Sequence, residues 1–213
     1  MIRLAVSVEG STEREFVKDV LAEHLRANGI EATPILLGRA RGLHGGGNVS
    51  TVRLVAEMSR LYWNFDAVTS LVDYYGFRDH VSGDPEKLQE RLFAEIKDRI
   101  GREVHRENML PYVQRYEFEA LLFSDAGVFA DVPGVSGESV RLLQDIRRQF
   151  PTPEDINDHS ETAPSKRILG AIPRYRKVVN GPRLAGKIGL AVIRKECPRF
   201  GAWLTDLEAL GTH

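Results

Sequence analysis

The chain has 213 residues, 42% of them hydrophobic and 28% charged, with a formal net charge of −1. That is enough for one sizeable α/β domain or a domain with an appendage, and it excludes wholesale disorder. No apolar run approaches a bilayer span, and the single cysteine, Cys197, excludes a disulfide framework and a multi-cysteine metal site.

Residues 1–10 hold a short apolar stretch without a small-residue cleavage site, so they read as a strand over 2–8 rather than a signal peptide. A reducing cytoplasm is the expected setting, with no membrane association. Thr12 and Glu15 form a Thr-x-x-Glu capping box for the next helix, which carries Phe16, Val17, Val20, Leu21 and Leu25 on one face. Asn28-Gly29 stops it, and residues 31–37 read as a second strand. Residues 38–48 are a glycine-rich loop holding Arg39, Arg41 and His44. A helix over 50–63 and a strand over 66–73 follow, and then a helix opened by Pro85 that ends near residue 100. Residues 110–115 read as a short strand that runs directly into a helix over 117–123. Helices are expected over 139–150, 183–197 and 202–210, with a polar, proline-punctuated connector at 151–164.

Strands alternating with helices imply an α/β fold, a mainly parallel sheet with helices on both faces. Residues 1–150 are the expected α/β domain. Residues 151–213 are a basic, mainly helical extension packed on it as one compact unit. Between residues 164 and 199 stand ten Lys/Arg and one acid, Glu196, while the rest of the chain holds 19 basic and 29 acidic residues. This asymmetry points to an anionic partner, nucleic acid first, or equally to a solvated surface that balances an acidic body.

The chemistry is expected where strands end. The first strand ends at Glu9, the third at Asp73, and the fourth runs into Glu117 and Glu119. In a parallel sheet these ends share one edge, the usual ligand edge. Clustered carboxylates repel, and a hard divalent cation relieves that conflict with oxygen ligands. Such a site serves phosphoryl chemistry. Each acid has an ordinary alternative: Glu9 or Glu13 complements a helix N-terminus, Asp73 caps a turn, Glu117 begins a helix. The first strand-to-helix turn, Val8-Glu9-Gly10-Ser11-Thr12-Glu13, has one glycine and two acids. That argues against direct nucleotide cradling and for phosphate bound through a metal.

Val8-Glu9-Gly10-x-Thr12-Glu13, the apolar strand ending in Asp73, and Tyr116-Glu117-Phe118-Glu119-Ala120-Leu121-Leu122 resemble a Toprim-superfamily protein. The nearest resemblance is to an uncharacterised bacterial family related to RloB-like proteins and to the Toprim domain of OLD-family nucleases. Thr162-Ala163-Pro164-Ser165-Lys166-Arg167 and residues 178–190 extend the resemblance over nearly the whole chain. It implies a Toprim-like sheet and cutting or rejoining of nucleic acid with Mg²⁺ or Mn²⁺, in the setting of phage defence. Glu9, Asp73 and Lys166 become the catalytic candidates. Glu9, Glu13, Asp73, Glu117 and Glu119 become the metal candidates. Arg39, Arg41, Arg167, Arg174, Arg176 and Lys177 are the candidate nucleic-acid contacts. The pattern departs at Tyr75, which stands where the second aspartate of an Asp-x-Asp motif belongs; a phenol is a poor Mg²⁺ ligand at neutral pH. Asp79 is a possible substitute. Without a second DNA-gating domain, hydrolysis is favoured over transesterification.

Two motifs are decoys. Residues 181–188 mimic a Walker A pattern but lack its Ser/Thr. His44-Gly45-Gly46-Gly47 is similar to an esterase oxyanion loop, but no Gly-x-Ser-x-Gly elbow accompanies it. The functional alternatives are thus a Mg²⁺-dependent nuclease and a catalytically weak Toprim-like subunit that binds and regulates a partner ATPase. A homodimer is compatible with either.

Overall fold

The computed structural model of the protein describes residues 1–38, 49–77, 84–157 and 162–212. Its centre is a five-stranded sheet of β1 (Ile2–Val8), β2 (Ile30–Leu36), β3 (Ala67–Asp73), β4 (Met109–Leu110) and β5 (Val113–Gln114). The order is β2-β1-β3-β4, with β5 also on β3, and every pairing is parallel. Val8 stands beside both Leu36 and Leu71, and Asp73 stands beside Gln114. The carboxyl ends of β1, β3 and β5 therefore meet at one edge.

Alternation along β1 sends its side chains to opposite faces. Leu4, Val6 and Val8 pack with Phe16, Leu25, Phe118 and Leu184. Ala5 joins Val68 and Val72 against Leu54 and Met58 of α3 (Thr51–Leu61) and Leu92 and Ile96 of α4 (Pro85–Ile100). The first face is covered by a rod of α1 (Ser11–Phe16), a π-helical turn (Val17–Leu21) and α2 (Ala22–Arg26), then by a 3₁₀ stretch (Phe118–Asp131) kinked at Asp125. Beyond these lie α5 (Gly137–Arg148), α6 (Pro164–Ala171), α7 (Lys177–Ile188), α8 (Leu190–Glu196) and α9 (Pro198–Ala209). Phe200 and Trp203 of α9 belong to the same apolar cluster as β1, so the helical C-terminal stretch shares the core of the sheet. Among the described residues no helix is long and apolar enough to cross a membrane.

Four local expectations need correction. The helix after β1 is capped at Gly10 rather than Thr12: Glu13 Oε2 accepts the Gly10 N–H at 3.0 Å, while Thr12 is buried in the first turn. Gly10 has no side chain to return the bond, so this is half a capping box. The strand expected over 110–115 is split into β4 and β5 around Pro111, which has no N–H to give a ladder. Ser70 bridges the gap, its hydroxyl donating to Tyr112 O at 2.9 Å and accepting from Tyr112 N at 3.0 Å. The helix expected over 183–197 starts earlier, at Lys177, and breaks at Gly189, whose φ of 81° lies in the left-handed region. The connector expected over 151–164 contains a 3₁₀ turn, Pro153–Asp155. The Walker-like run 181–188 lies wholly inside α7, so it forms no phosphate loop.

Candidate active site at the carboxyl edge of the sheet

Glu9 directly follows β1, and its carboxylate packs against Gly76 in the space that a Cβ would fill. Gly76 closes the 3₁₀ turn Tyr74–Gly76 that follows β3, and only a residue without a side chain permits this approach. Asp73, the last residue of β3, is 7% exposed. Its Oδ1 accepts the Phe118 N–H at 2.8 Å and so fixes the start of the 3₁₀ stretch. That stretch then buries Glu119 completely, at 0% exposure. Glu13 is buried one helical turn after Glu9. Glu117 is engaged through both oxygens, by Ser165 N at 2.8 Å and Ser165 Oγ at 2.9 Å, at the start of α6.

One cation enters this group. Lys177 Nζ lies 2.9 Å from Glu119 Oε2 and 3.6 Å from Asp73 Oδ2. Burial works against the charge on Lys177, but Asp73, Glu119 and Glu13 outweigh it and hold its pKa above the usual lysine range. The acids shift upward. Burial, then Glu13 and Glu117, push Glu9 up to about 7 against the pull of Lys177 and of a hydrogen bond from the Asp73 backbone. Burial, with Glu117 and Glu13, pushes Glu119 to about 7 despite Lys177. Burial raises Asp73 too, helped by Glu13, Glu9 and Glu119 and opposed by Lys177. Among the described residues, Glu9 Oε2 and Glu119 Oε1 are buried with no hydrogen-bond partner, as is the Tyr175 hydroxyl.

The structure thus brings together Glu9, Glu13, Asp73 and Glu119, with Glu117 at the margin. It treats the expected cations differently. Lys166 is exposed at the start of α6, and the lysine paired with the acids is Lys177, which the sequence groups with the phosphate-gripping residues. Arg174 and Arg176 are exposed beside it. Arg167 is half-buried, donates to Thr162 O at 2.7 Å and covers the Phe150 ring at 5.2 Å. Arg39, Arg41, His44 and Asp79 lie outside the described residues.

One feature marks Lys166 and Lys177 alike once the helix starts are known. α6 and α7 both open on cations with no acid in the first turn, which opposes the helix dipole. Such openings call for carboxylates from elsewhere: Glu117 serves α6, and Asp73 with Glu119 serves α7.

A family model described as "Domain of unknown function (DUF4276)" matches residues 8–208. The chain belongs to the DUF4276 family. No protein of curated function matches this DUF4276 chain. Among solved structures it is similar to the C-terminal region of the OLD protein of Xanthomonas campestris pv. campestris, at 18% identity and a TM-score of 0.47, covering 98% of this chain and 95% of that one.

The acids have the make-up of a divalent-cation site. Their chemistry fits: hard oxygen donors, buried, mutually repelling, two with an unbonded oxygen. Lys177 pairs with two of them, Asp73 and Glu119, and among the described residues no three His, Cys, Asp or Glu side chains form a ready metal cage.

Proposed function

We propose that this DUF4276 chain is a Toprim-type nuclease that hydrolyses phosphodiester bonds in DNA or RNA with Mg²⁺ or Mn²⁺, in the setting of phage defence. One observation carries the reading: acids from β1, β3 and the 3₁₀ stretch converge in a buried place that leaves Glu9 and Glu119 with unsatisfied oxygens. Most buried polar atoms of a folded protein are hydrogen-bonded, and two carboxylates with spare oxygens inside one acidic cluster suit an oxygen-ligated cation. A divalent cation bound there supplies an activated water and neutralises charge on the phosphate.

Glu9, Asp73 and Glu119 would supply the oxygen ligands once Lys177 gives way and the carboxylates close up, since they form no cage while the lysine is paired with them. Glu13 keeps its bond to the Gly10 N–H and so orients the turn that presents Glu9. Glu117 ties α6 to the site through Ser165. The Lys177 ammonium stabilises negative charge that develops on a phosphate at this edge. Exposed Arg174 and Arg176 attract the flanking backbone. Glu9→Gln or Asp73→Asn is expected to abolish metal-dependent cutting while the circular dichroism spectrum stays unchanged. Full activity in either variant, in a preparation free of contaminating nuclease, refutes the assignment.

Lys177 favours a second reading, since its pairing with Asp73 and Glu119 partly neutralises the cluster without a metal. In that case the chain is a catalytically weak subunit that regulates a partner ATPase. Calorimetry with Mg²⁺ and Mn²⁺ separates the two: no heat at millimolar metal favours the regulatory subunit.

A further inference from the structure

The two residues after Asp73 are tyrosines, and a third tyrosine precedes Glu117. Tyr74 is buried, at 2% exposure, whereas Tyr75 is turned out at 37%. Tyr116 is half-buried. The Tyr75 N–H donates to Tyr116 O at 3.1 Å, which joins the turn after β3 to the turn after β5. The rings of Tyr75 and Tyr116 lie 5.4 Å apart at 43°, and those of Tyr74 and Tyr75 lie 6.3 Å apart. Asn157 Nδ2 donates to the Tyr75 hydroxyl and holds the ring from outside. The Arg115 guanidinium stands 5.4 Å from the Tyr116 ring and pairs with Asp155 at 3.1 Å.

Tyr116 has a φ of 63°, and it is the one non-glycine residue in the left-handed region among those described. A bulky side chain is disfavoured there, so the surroundings must impose it. The same backbone turn sets the Tyr116 ring beside Tyr75, sends Glu117 to Ser165 and aims the Phe118 N–H at Asp73. Aromatic shelf and acidic cluster are therefore built by one constrained segment, and each ring is within two residues of a carboxylate of the cluster. Burying the Tyr75 ring in the apolar core would have been the ordinary use of a tyrosine here; Tyr74 does that, and Tyr75 does not.

We propose that Tyr75 and Tyr116 form a stacking shelf for one nucleobase beside the phosphate site, so that the substrate is single-stranded or unpaired nucleic acid; this rests on the nuclease reading above. The chemistry is that of sequence-tolerant single-strand recognition, in which an aromatic face stacks on a base and cations track the backbone. Arg115 extends the platform, and exposed Arg174 and Arg176 supply the charge. A base on this shelf has left the duplex stack, so a continuous duplex binds less well. The shelf also gives Tyr75 a task where a carboxylate would otherwise add a further charge next to Asp73.

The test is fluorescence anisotropy with labelled oligothymidylate and oligouridylate, the same strands made abasic, and a paired duplex of equal length, with Ca²⁺ in place of Mg²⁺ and Mn²⁺ so that the acidic edge is filled while cutting is suppressed. The wild-type chain is expected to bind at least one intact single strand more tightly than the duplex. Tyr75→Ala is expected to weaken that binding by about 10- to 100-fold, the effect of removing one base–aromatic stack. It should leave abasic-strand binding unchanged, and Tyr75→Phe should retain most of the affinity. Tight strand binding that Tyr75→Ala does not alter, or a preference for duplex, overturns the shelf and leaves the nuclease reading standing. No binding to any strand or duplex by the wild-type chain overturns both.

Discussion

Two buried glutamates in this chain have opposite surroundings. Glu154, 2% exposed, accepts the Arg199 N–H at 2.9 Å and the Phe200 N–H at 3.1 Å, which satisfies the first turn of α9. Glu119, 0% exposed, has one oxygen 2.9 Å from Lys177 and the other with no hydrogen bond among the described residues. Burial raises the pKa of both. Desolvation alone therefore does not mark a site. What separates the two is whether backbone donors compensate the charge: Glu154 is a structural cap, and Glu119 sits among other acids with spare oxygen.

The largest expected effect breaks this comparison most cleanly. Glu119→Gln should lower metal-dependent cleavage at least about a hundredfold, since even outer-shell partners of a metal ligand are worth about 10- to 100-fold. Glu154→Ala should leave cleavage unchanged and cost about 1–2 kcal/mol of stability, read as a shifted urea midpoint, because it uncaps α9. If the two variants exchange these phenotypes, the distinction is wrong.

A smaller effect concerns pH. Glu9 and Glu119 are held near 7 in the folded chain against 4.5 for the free side chain. The folded state therefore binds these protons more tightly than the unfolded state. Their contribution to stability is fully present below about 4.5 and is lost as the pH rises to about 7. In EDTA, Tm measured across that window should fall more steeply for the wild-type chain than for Glu9→Gln, and millimolar Mg²⁺ should flatten the wild-type curve. Identical slopes with and without Glu9 contradict the shift.

The smallest effect belongs to the exposed cations. Arg174→Ala and Arg176→Ala should each weaken nucleic-acid binding uniformly across sequences and reduce the salt slope of log K by about 1. Unchanged slopes would confine binding to the shelf and the acids.

Much of the edge was legible in the sequence. An apolar run that ends in an acid marks a buried strand delivering a charge to its end, and Glu9 and Asp73 follow that rule. The two faces of the sheet follow from alternation along β1 and from helical spacing in α1 and α2. Other features were not legible because they depend on contacts distant in sequence. Thr12 and Glu15 have the spacing of a capping box, but Thr12 is drawn into the core beside Phe16, and the cap moves to Gly10 and Glu13. Lys166 and Lys177 both stand at basic helix starts, and only the packing of α7 against α1 and the 3₁₀ stretch selects Lys177. The positive φ of Tyr116 has no sequence signal, because tyrosine rarely adopts it.

The central claim is that separate acids along the sheet edge hold one divalent ion. Anomalous diffraction from crystals soaked in Mn²⁺ tests it directly. A peak bounded by Glu9, Asp73 and Glu119 is expected, with the Lys177 ammonium displaced from Asp73. A map with no peak at that edge, and Lys177 still paired with both Asp73 and Glu119, would contradict it.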